Sequence, residues 1–83
     1  MTYRVWFDGE ALLQLHGLPA EAFDALFTRI VELVDAPWDA RVMPGSNDSA
    51  YRQAMFGSGS GLVNFQVDED AETIRIFHLT WIG

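Results

Sequence analysis

The residues of this sequence that could carry out acid–base or nucleophilic chemistry are few and scattered. Histidine, the commonest general acid or base in proteins, occurs at His16 and His78, far apart in the chain. A nucleophile needs a base and an orienting group within hydrogen-bond reach. All the serines fall in segments typical of loops. Their spacing in the sequence places none of them beside a histidine. These serines are Ser46, Ser49, Ser58 and Ser60.

Two short runs resemble ligand-binding loops but lack their essential residues. Gly57–Gly61 is glycine-rich, yet it leads into a strand-like segment and has no Lys-Ser/Thr pair opening a helix, as a phosphate-binding loop requires. Asp68–Glu72 is acidic but lacks the twelve-residue spacing and closing glutamate of a calcium loop. We interpret the first as a hairpin loop and the second as a solvated turn.

The chain contains no cysteine, which excludes disulfides, thiolate catalysis and zinc–thiolate sites. The two histidines do not fall in a recognisable ligand spacing. We therefore expect neither a metal nor a cofactor.

The charge is strongly acidic, with 12 Asp and Glu against five arginines and a formal net charge of -7. Such a surface repels phosphate at long range, so a basic protein surface is a better partner than nucleic acid on composition alone. Simple solubility explains the same charge and is the interpretation we favour. The N-terminus lacks the apolar region of a signal peptide, and no apolar stretch approaches the length of a membrane span. We expect a cytoplasmic protein that does not contact the membrane.

The first third of the chain predicts a strand and two helices. Tyr3–Phe7 is aromatic and β-branched, which favours a strand. Asp8 is a good N-cap for a helix that starts near Gly9 and ends at Gly17. A second helix follows Pro19 and stops before Pro37. Its predicted core face is an apolar stripe at helical spacing. The stripe comprises Phe23, Leu26, Phe27, Ile30, Leu33 and Val34.

The rest of the chain predicts a loop and three strands. Residues 35–50 contain the turn formers that favour a loop, with Trp38 folded back onto the domain, and strands follow at 51–56, 62–67 and 73–82. Short connections between these strands favour an antiparallel meander. Simple alternation along the last strand puts His78 on the face opposite Arg75. The expected fold is α+β, with the order β-α-α-β-β-β in one domain spanning residues 1–83.

The order of these elements resembles the RelE/ParE superfamily, the toxin halves of bacterial type II toxin–antitoxin modules. The opening strand Tyr3–Phe7 and the pair Leu18-Pro19 after the first helix match its pattern. So does the helix that runs into Ala36-Pro37. The meander of the family is matched by Tyr51-Arg52, Gly61-Leu62-Val63, Val67-Asp68 and the closing Ile82-Gly83.

The resemblance implies either of two activities and a protein partner. RelE-type members cut mRNA on the ribosome, ParE-type members inhibit DNA gyrase, and both are held by an antitoxin. In the nuclease branch, cations on the meander stabilise the charge that builds up during phosphodiester cleavage. The catalytic residues it implies here are Arg52 first, then Arg75, His78 and Tyr51.

The chain departs from the nuclease pattern at several positions. Alanine occupies position 54 and glycine position 61, where the resemblance implies basic residues, and it implies a further basic residue after Gly83. The first hypothesis is therefore a toxin-like component with a degenerate basic site. The second is a non-catalytic protein-interaction domain that retains the toxin fold. A third is an unrelated small domain that forms a homodimer through an exposed strand edge, using Trp6 or Trp81.

Overall fold

The computed structural model describes residues 2–83, which form two helices packed on one mixed five-stranded sheet. The order of strands across the sheet is β1-β5-β4-β3-β2, with β1 parallel to β5 and the other pairs antiparallel. The helices are α1 (Gly9–His16) and α2 (Ala20–Leu33). The strands are β1 (Arg4–Phe7), β2 (Arg41–Val42), β3 (Tyr51–Phe56), β4 (Gly61–Asp68) and β5 (Thr73–Trp81).

This architecture confirms the predicted α+β fold and adds one strand to it. The segment predicted to be a loop contains a 3₁₀ turn at Pro37–Asp39 and the two-residue strand β2. The indole Nε1 of Trp38 donates to the Tyr3 hydroxyl at 3.3 Å, so this side chain folds back onto the domain as expected. Within residues 2–83, no helix is long and apolar enough to cross a bilayer.

Helix α1 begins and ends where the sequence predicts. The Asp8 carboxylate accepts a hydrogen bond from the backbone N–H of Ala11 at 3.4 Å, and Gly17 is the C-cap. Ala11 and Leu15, one helical turn apart, are buried. Gln14 lies on a neighbouring face, and its Oε1 accepts the backbone N–H of Leu79 at 2.7 Å. The helix therefore covers the core and also binds β5 at Leu79, beyond the residues of β5 that pair with β1.

Helix α2 buries a narrower face than its apolar stripe suggests. The buried residues are Ala22, Leu26, Ile30 and Leu33. Phe23 and Phe27, predicted to belong to the core face, are 40% and 37% exposed. Both aromatics lie toward one side of the helix, where their rings contact each other instead of the core.

The core lies between the helices and one face of the sheet. Val63, Phe65 and Val67 alternate along β4 and are all buried, as predicted. They pack with Ile74 and Ile76 of β5 in one cluster. Burial of each such side chain contributes about 2 kcal/mol to folding. Among residues 2–83, no helix covers the opposite face of the sheet, which we call the open face.

A β-bulge changes the faces of β5 after Ile76. Asn64 is opposite His78 and Phe65 is opposite Ile76, so Phe77 is an extra residue with no partner of its own. The extra residue reverses the alternation, and Leu79 therefore joins Ile74 and Ile76 in the core. The predicted separation of Arg75 and His78 onto opposite faces is wrong for this reason.

Glycines at the β3–β4 turn make room for a pair of stacked aromatic rings. Phe56 and Trp81 stack with ring centroids 5.7 Å apart and planes 19° from parallel. A Cβ on Gly61 would lie 2.4 Å from the Phe56 ring. A Cβ on Gly57, whose φ is +61°, would lie 2.6 Å from the Trp81 ring. Trp81, predicted as a partner anchor, therefore packs against its own domain.

We expect Gly61→Ala to destabilise the fold by about 1–3 kcal/mol, because the Phe56 ring is buried and cannot move aside without strain. Thermal unfolding followed by circular dichroism measures this effect. Gly9→Ala is the matched control, since nothing lies within 4 Å of its Cβ and alanine favours the helix. Equal melting temperatures for the two variants would contradict this account of the turn.

Candidate functional site

Polar and aromatic side chains cross the open face in two rows. The first row follows the register Trp6–Arg75–Gln66–Tyr51 across β1, β5, β4 and β3. The second row follows Arg41–Gln53–Asn64–His78 across β2, β3, β4 and β5. Both rows exist because residues directly opposite each other on paired strands share a face.

Arg75 is the central cation of the first row, and its guanidinium is held from several sides. One terminal nitrogen donates to the Asp8 carboxylate at 2.8 Å. Its Nε and other terminal nitrogen donate to Gln66 Oε1 at 3.3 and 2.9 Å. The guanidinium carbon lies 5.3 Å from the centroid of the Phe77 ring. Arg75 is therefore held in one orientation, and a carboxylate offsets much of its charge.

Aromatic rings surround this cation. The Phe77 ring, which the bulge directs to the open face, lies 5.7 Å from the Tyr51 ring. Trp6 is opposite Arg75 in the register and is 49% exposed. A fixed guanidinium beside one exposed and two partly exposed aromatic rings is suited to binding planar groups by stacking.

Asp8 connects the first row to the helical layer. One carboxylate oxygen caps α1 and the other binds Arg75, so a single side chain orients both the helix start and the central cation. Sequence reasoning identified the capping role but missed the ion pair, because Asp8 and Arg75 lie at opposite ends of the chain.

The second row is a chain of side-chain hydrogen bonds. Arg41 donates from Nε to Gln53 Oε1 at 3.1 Å, with a second, shorter contact from its terminal nitrogen. Gln53 Nε2 then donates to Asn64 Oδ1 at 2.9 Å. His78 lies opposite Asn64 at the end of this row. The row therefore places an arginine and a partly exposed imidazole on the same surface, with the hydrogen bonds joining Arg41, Gln53 and Asn64.

Three of the four predicted site residues lie on the open face. The structure brings Tyr51, Arg75 and His78 together there, a grouping that the predicted alternation of β5 did not allow. Their catalytic role stays a prediction. Sequence reasoning missed Arg41, Gln53, Asn64 and Gln66, although the alternation of β4 already placed Asn64 and Gln66 on the face opposite the core.

Arg52, the first predicted catalytic residue, lies on the helix side of the sheet. It is opposite the buried Phe65. Its Nε donates to the carbonyl of Ser49 at 2.7 Å, and a terminal nitrogen donates to the carbonyls of Trp38 and Ala40 at 3.1 and 2.9 Å. The guanidinium carbon lies 4.8 Å from the Trp38 ring centroid. Arg52 therefore clamps the segment that contains β2, and its catalytic role stays a prediction.

Positions 54 and 61, where the resemblance implies basic residues, face the core and not the open face. Ala54 is buried and Gly61 contacts the Phe56 ring, so a cation at either position would point into the core. The open-face neighbours are Met55 and Leu62, which are opposite each other in the register. Both side chains are apolar, so this pair of positions adds no charge to the open face.

Charge is divided unequally between the open face and the rest of the molecule. On the open face, Arg4, Arg41 and Arg75 are accompanied by only two aspartates, Asp8 and Asp68. The remaining ten carboxylates are accompanied by only two arginines. Among residues 2–83, no three acidic or histidine side chains form a group that could hold a metal ion.

The structure is similar to those of RelE toxins. It superimposes on a double arginine-to-alanine variant of Escherichia coli RelE in the free state with a TM-score of 0.82 and 21% identity, covering 98% of this chain and 84% of that one. The RelBE2 toxin–antitoxin complex of Mycobacterium tuberculosis gives 0.81 and 20%, covering 98% and 99%. The archaeal RelE–RelB complex of Pyrococcus horikoshii gives 0.72 and 23%, covering 100% and 98%.

The chain therefore has the fold of the RelE toxins, with an open sheet face that presents arginine, tyrosine and histidine side chains. No protein-family model and no curated protein matches the sequence. At these identities the likeness defines the fold, and it confirms the fold that the order of the elements predicted.

We expect Arg52→Lys to lower the unfolding free energy by about 1–3 kcal/mol, because one ammonium cannot reach all three carbonyls that the guanidinium binds. Chemical denaturation followed by tryptophan fluorescence measures the loss. The control is Arg29→Lys, which perturbs one carbonyl contact and an exposed pair with Glu32. We expect a change below about 0.5 kcal/mol there. A larger loss for the control would refute the clamp.

Proposed function

We propose that this chain is the toxin component of a type II toxin–antitoxin module, acting in the cytoplasm as one domain. The observation that carries the proposal is the fold. The chain is similar over nearly its whole length to RelE toxins, both free and bound to RelB antitoxins. On this basis we expect an antitoxin partner for this chain as well.

The open face is the working surface in this proposal. Arg75 and Arg41 would stabilise the negative charge that builds up on a phosphate during RNA cleavage. His78, at the end of the second row, is the side chain that we assign as general acid or base. Tyr51 and Trp6 would stack on bases. Ribosome-bound mRNA is the substrate expected for such a site.

A second candidate function is protein binding without catalysis, and specific contacts favour it. Arg75 is already bound to Asp8 and Gln66, and Arg41 to Gln53, so neither cation is fully available for phosphate. Met55, which is 61% exposed, adds an apolar group to the same face. A gyrase-inhibiting toxin and a partner-binding domain both need only such a protein-binding surface.

Growth after tightly controlled induction in a bacterial host tests the proposal. We expect the wild type to arrest growth, and Arg75→Ala and His78→Ala each to relieve the arrest at least about tenfold in surviving colonies. Arg29→Ala is the matched control. It removes an arginine from the helix side and should leave the arrest unchanged.

Two assays on the purified protein then distinguish the two possible targets. Cleavage of mRNA on translating ribosomes indicates the nuclease, and loss of supercoiling activity indicates gyrase inhibition. Normal growth on induction of the folded wild type, with neither activity present, would overturn the toxin assignment and leave the interaction domain.

A further inference from the structure

The Asp8 carboxylate is the movable part of a residue whose backbone is fixed. The Asp8 N–H donates to the carbonyl of Ile76 in β5 at 3.0 Å, and the Asp8 carbonyl accepts the N–H of Leu12 at 2.9 Å. The carboxylate makes two contacts of unequal length, 2.8 Å to Arg75 and 3.4 Å to the N–H of Ala11. The carboxylate can therefore turn about its own side-chain bonds without disturbing the sheet, and it has a second partner to turn towards.

Arg75 has supports that do not involve Asp8. Its Nε and one terminal nitrogen donate to Gln66 Oε1 at 3.3 and 2.9 Å, and its guanidinium lies beside the Phe77 ring. Asp8 binds the other terminal nitrogen. Loss of this one contact would leave the guanidinium in place, with that nitrogen free and its charge no longer offset. Asp8 therefore acts on the charge of the open face more than on the position of Arg75.

The other aspartate of the open face has a different role. Asp68 lies two residues beyond Gln66 in β4 and is opposite Thr73 in the register. One of its carboxylate oxygens accepts the N–H of Ala71 at 3.1 Å, which fixes the turn after β4. Among residues 2–83, Asp8 is thus the only carboxylate that forms an ion pair with Arg75.

The ion pair between Asp8 and Arg75 is open to solvent. The side chains of Arg75 and Asp8 are 27% and 30% exposed. Ion pairs that water and salt can reach are weak, because both screen the attraction between the charges. A phosphate competes well for such a cation, since it accepts parallel hydrogen bonds from a guanidinium and carries a negative charge of its own.

We propose that Asp8 is a built-in competitor for phosphate at Arg75. A phosphate of the bound RNA displaces the Asp8 carboxylate from the guanidinium, and the displaced carboxylate stays on the N–H of Ala11 as the cap of α1. Asp8 thus lowers the affinity of the open face for RNA, while α1 keeps its cap in both states. The inference rests on the proposed function, because it specifies how the phosphate-binding strength of that same site is set.

Binding of a single-stranded oligouridine of about ten nucleotides tests the competition. We expect Asp8→Asn to bind this RNA about fivefold more tightly than the wild type at low salt, because asparagine keeps the cap and removes the charge. Fluorescence anisotropy of labelled RNA measures the affinities, and circular dichroism confirms that each variant is folded.

Asp24→Asn is the matched control for this gain. It makes the same change of net charge at an exposed position on α2, which lies on the other side of the sheet. Its affinity for the RNA should stay within about twofold of the wild type, because solvent and salt screen a distant charge. A gain equal to that of Asp8→Asn would overturn the inference.

A double variant shows whether the gain acts through Arg75. Arg75→Gln removes the cation, so the further change Asp8→Asn should alter the affinity by less than about twofold. The same fivefold gain in both backgrounds, about that of Asp8→Asn alone, would overturn the inference, because it would show that Asp8 repels RNA without competing for Arg75.

Nuclear magnetic resonance follows the displacement itself. Titration of the wild type with the same RNA should shift the Arg75 Nε–H and Ala11 amide resonances with one dissociation constant, because the carboxylate leaves the first group and moves closer to the second. A shift of the Arg75 resonance alone would show that RNA binds beside an intact ion pair, which contradicts displacement.

Growth arrest separates this inference from the proposed function. Equal affinities of Asp8→Asn and the wild type, or binding by neither protein, would reject the competition. If the wild type still arrests growth, the toxin assignment stands. Tighter binding by Asp8→Asn together with normal growth on induction of the wild type would support the competition and reject the toxin assignment.

Discussion

The pairing of β4 with β5 contains one extra residue, and the composition of both faces of the sheet depends on it. Ile74 and Ile76 face the helices before the bulge, and Leu79 faces them after it. Without the extra residue, Leu79 would be exposed and His78 would be buried in an apolar core, where an imidazole lacks hydrogen-bond partners. The bulge thus lets one strand contribute continuously to the core and still present Arg75 and His78 on the open face.

The ion pair between Asp8 and Arg75 links the stability of the fold to the charge of the open face. Asp8 caps α1, and the position of α1 in turn brings Gln14 to the edge of β5. The same carboxylate offsets the charge of Arg75, which lowers its attraction for phosphate. The carboxylate that fixes the start of α1 is therefore the same group that weakens the attraction of Arg75 for anions.

The distribution of charge gives the molecule two different surfaces. The open face has a slight excess of arginine, while the helices, loops and turns have nearly all the carboxylates. A molecule that binds the open face therefore meets a lower density of carboxylates than one that binds elsewhere on the surface.

The sequence by itself determined the helices, four of the five strands, the cap at Asp8 and the buried face of β4, because each depends on neighbours a few residues away. Only the tertiary structure decided the rest. The bulge at Phe77 follows from how β5 fits β4, and the ion pair of Arg75 joins residues from the two ends of the chain. Arg52 faces the helices because its strand pairs with Phe65. Local patterns cannot specify such contacts, since a shift of one residue in strand register exchanges the two faces of a sheet.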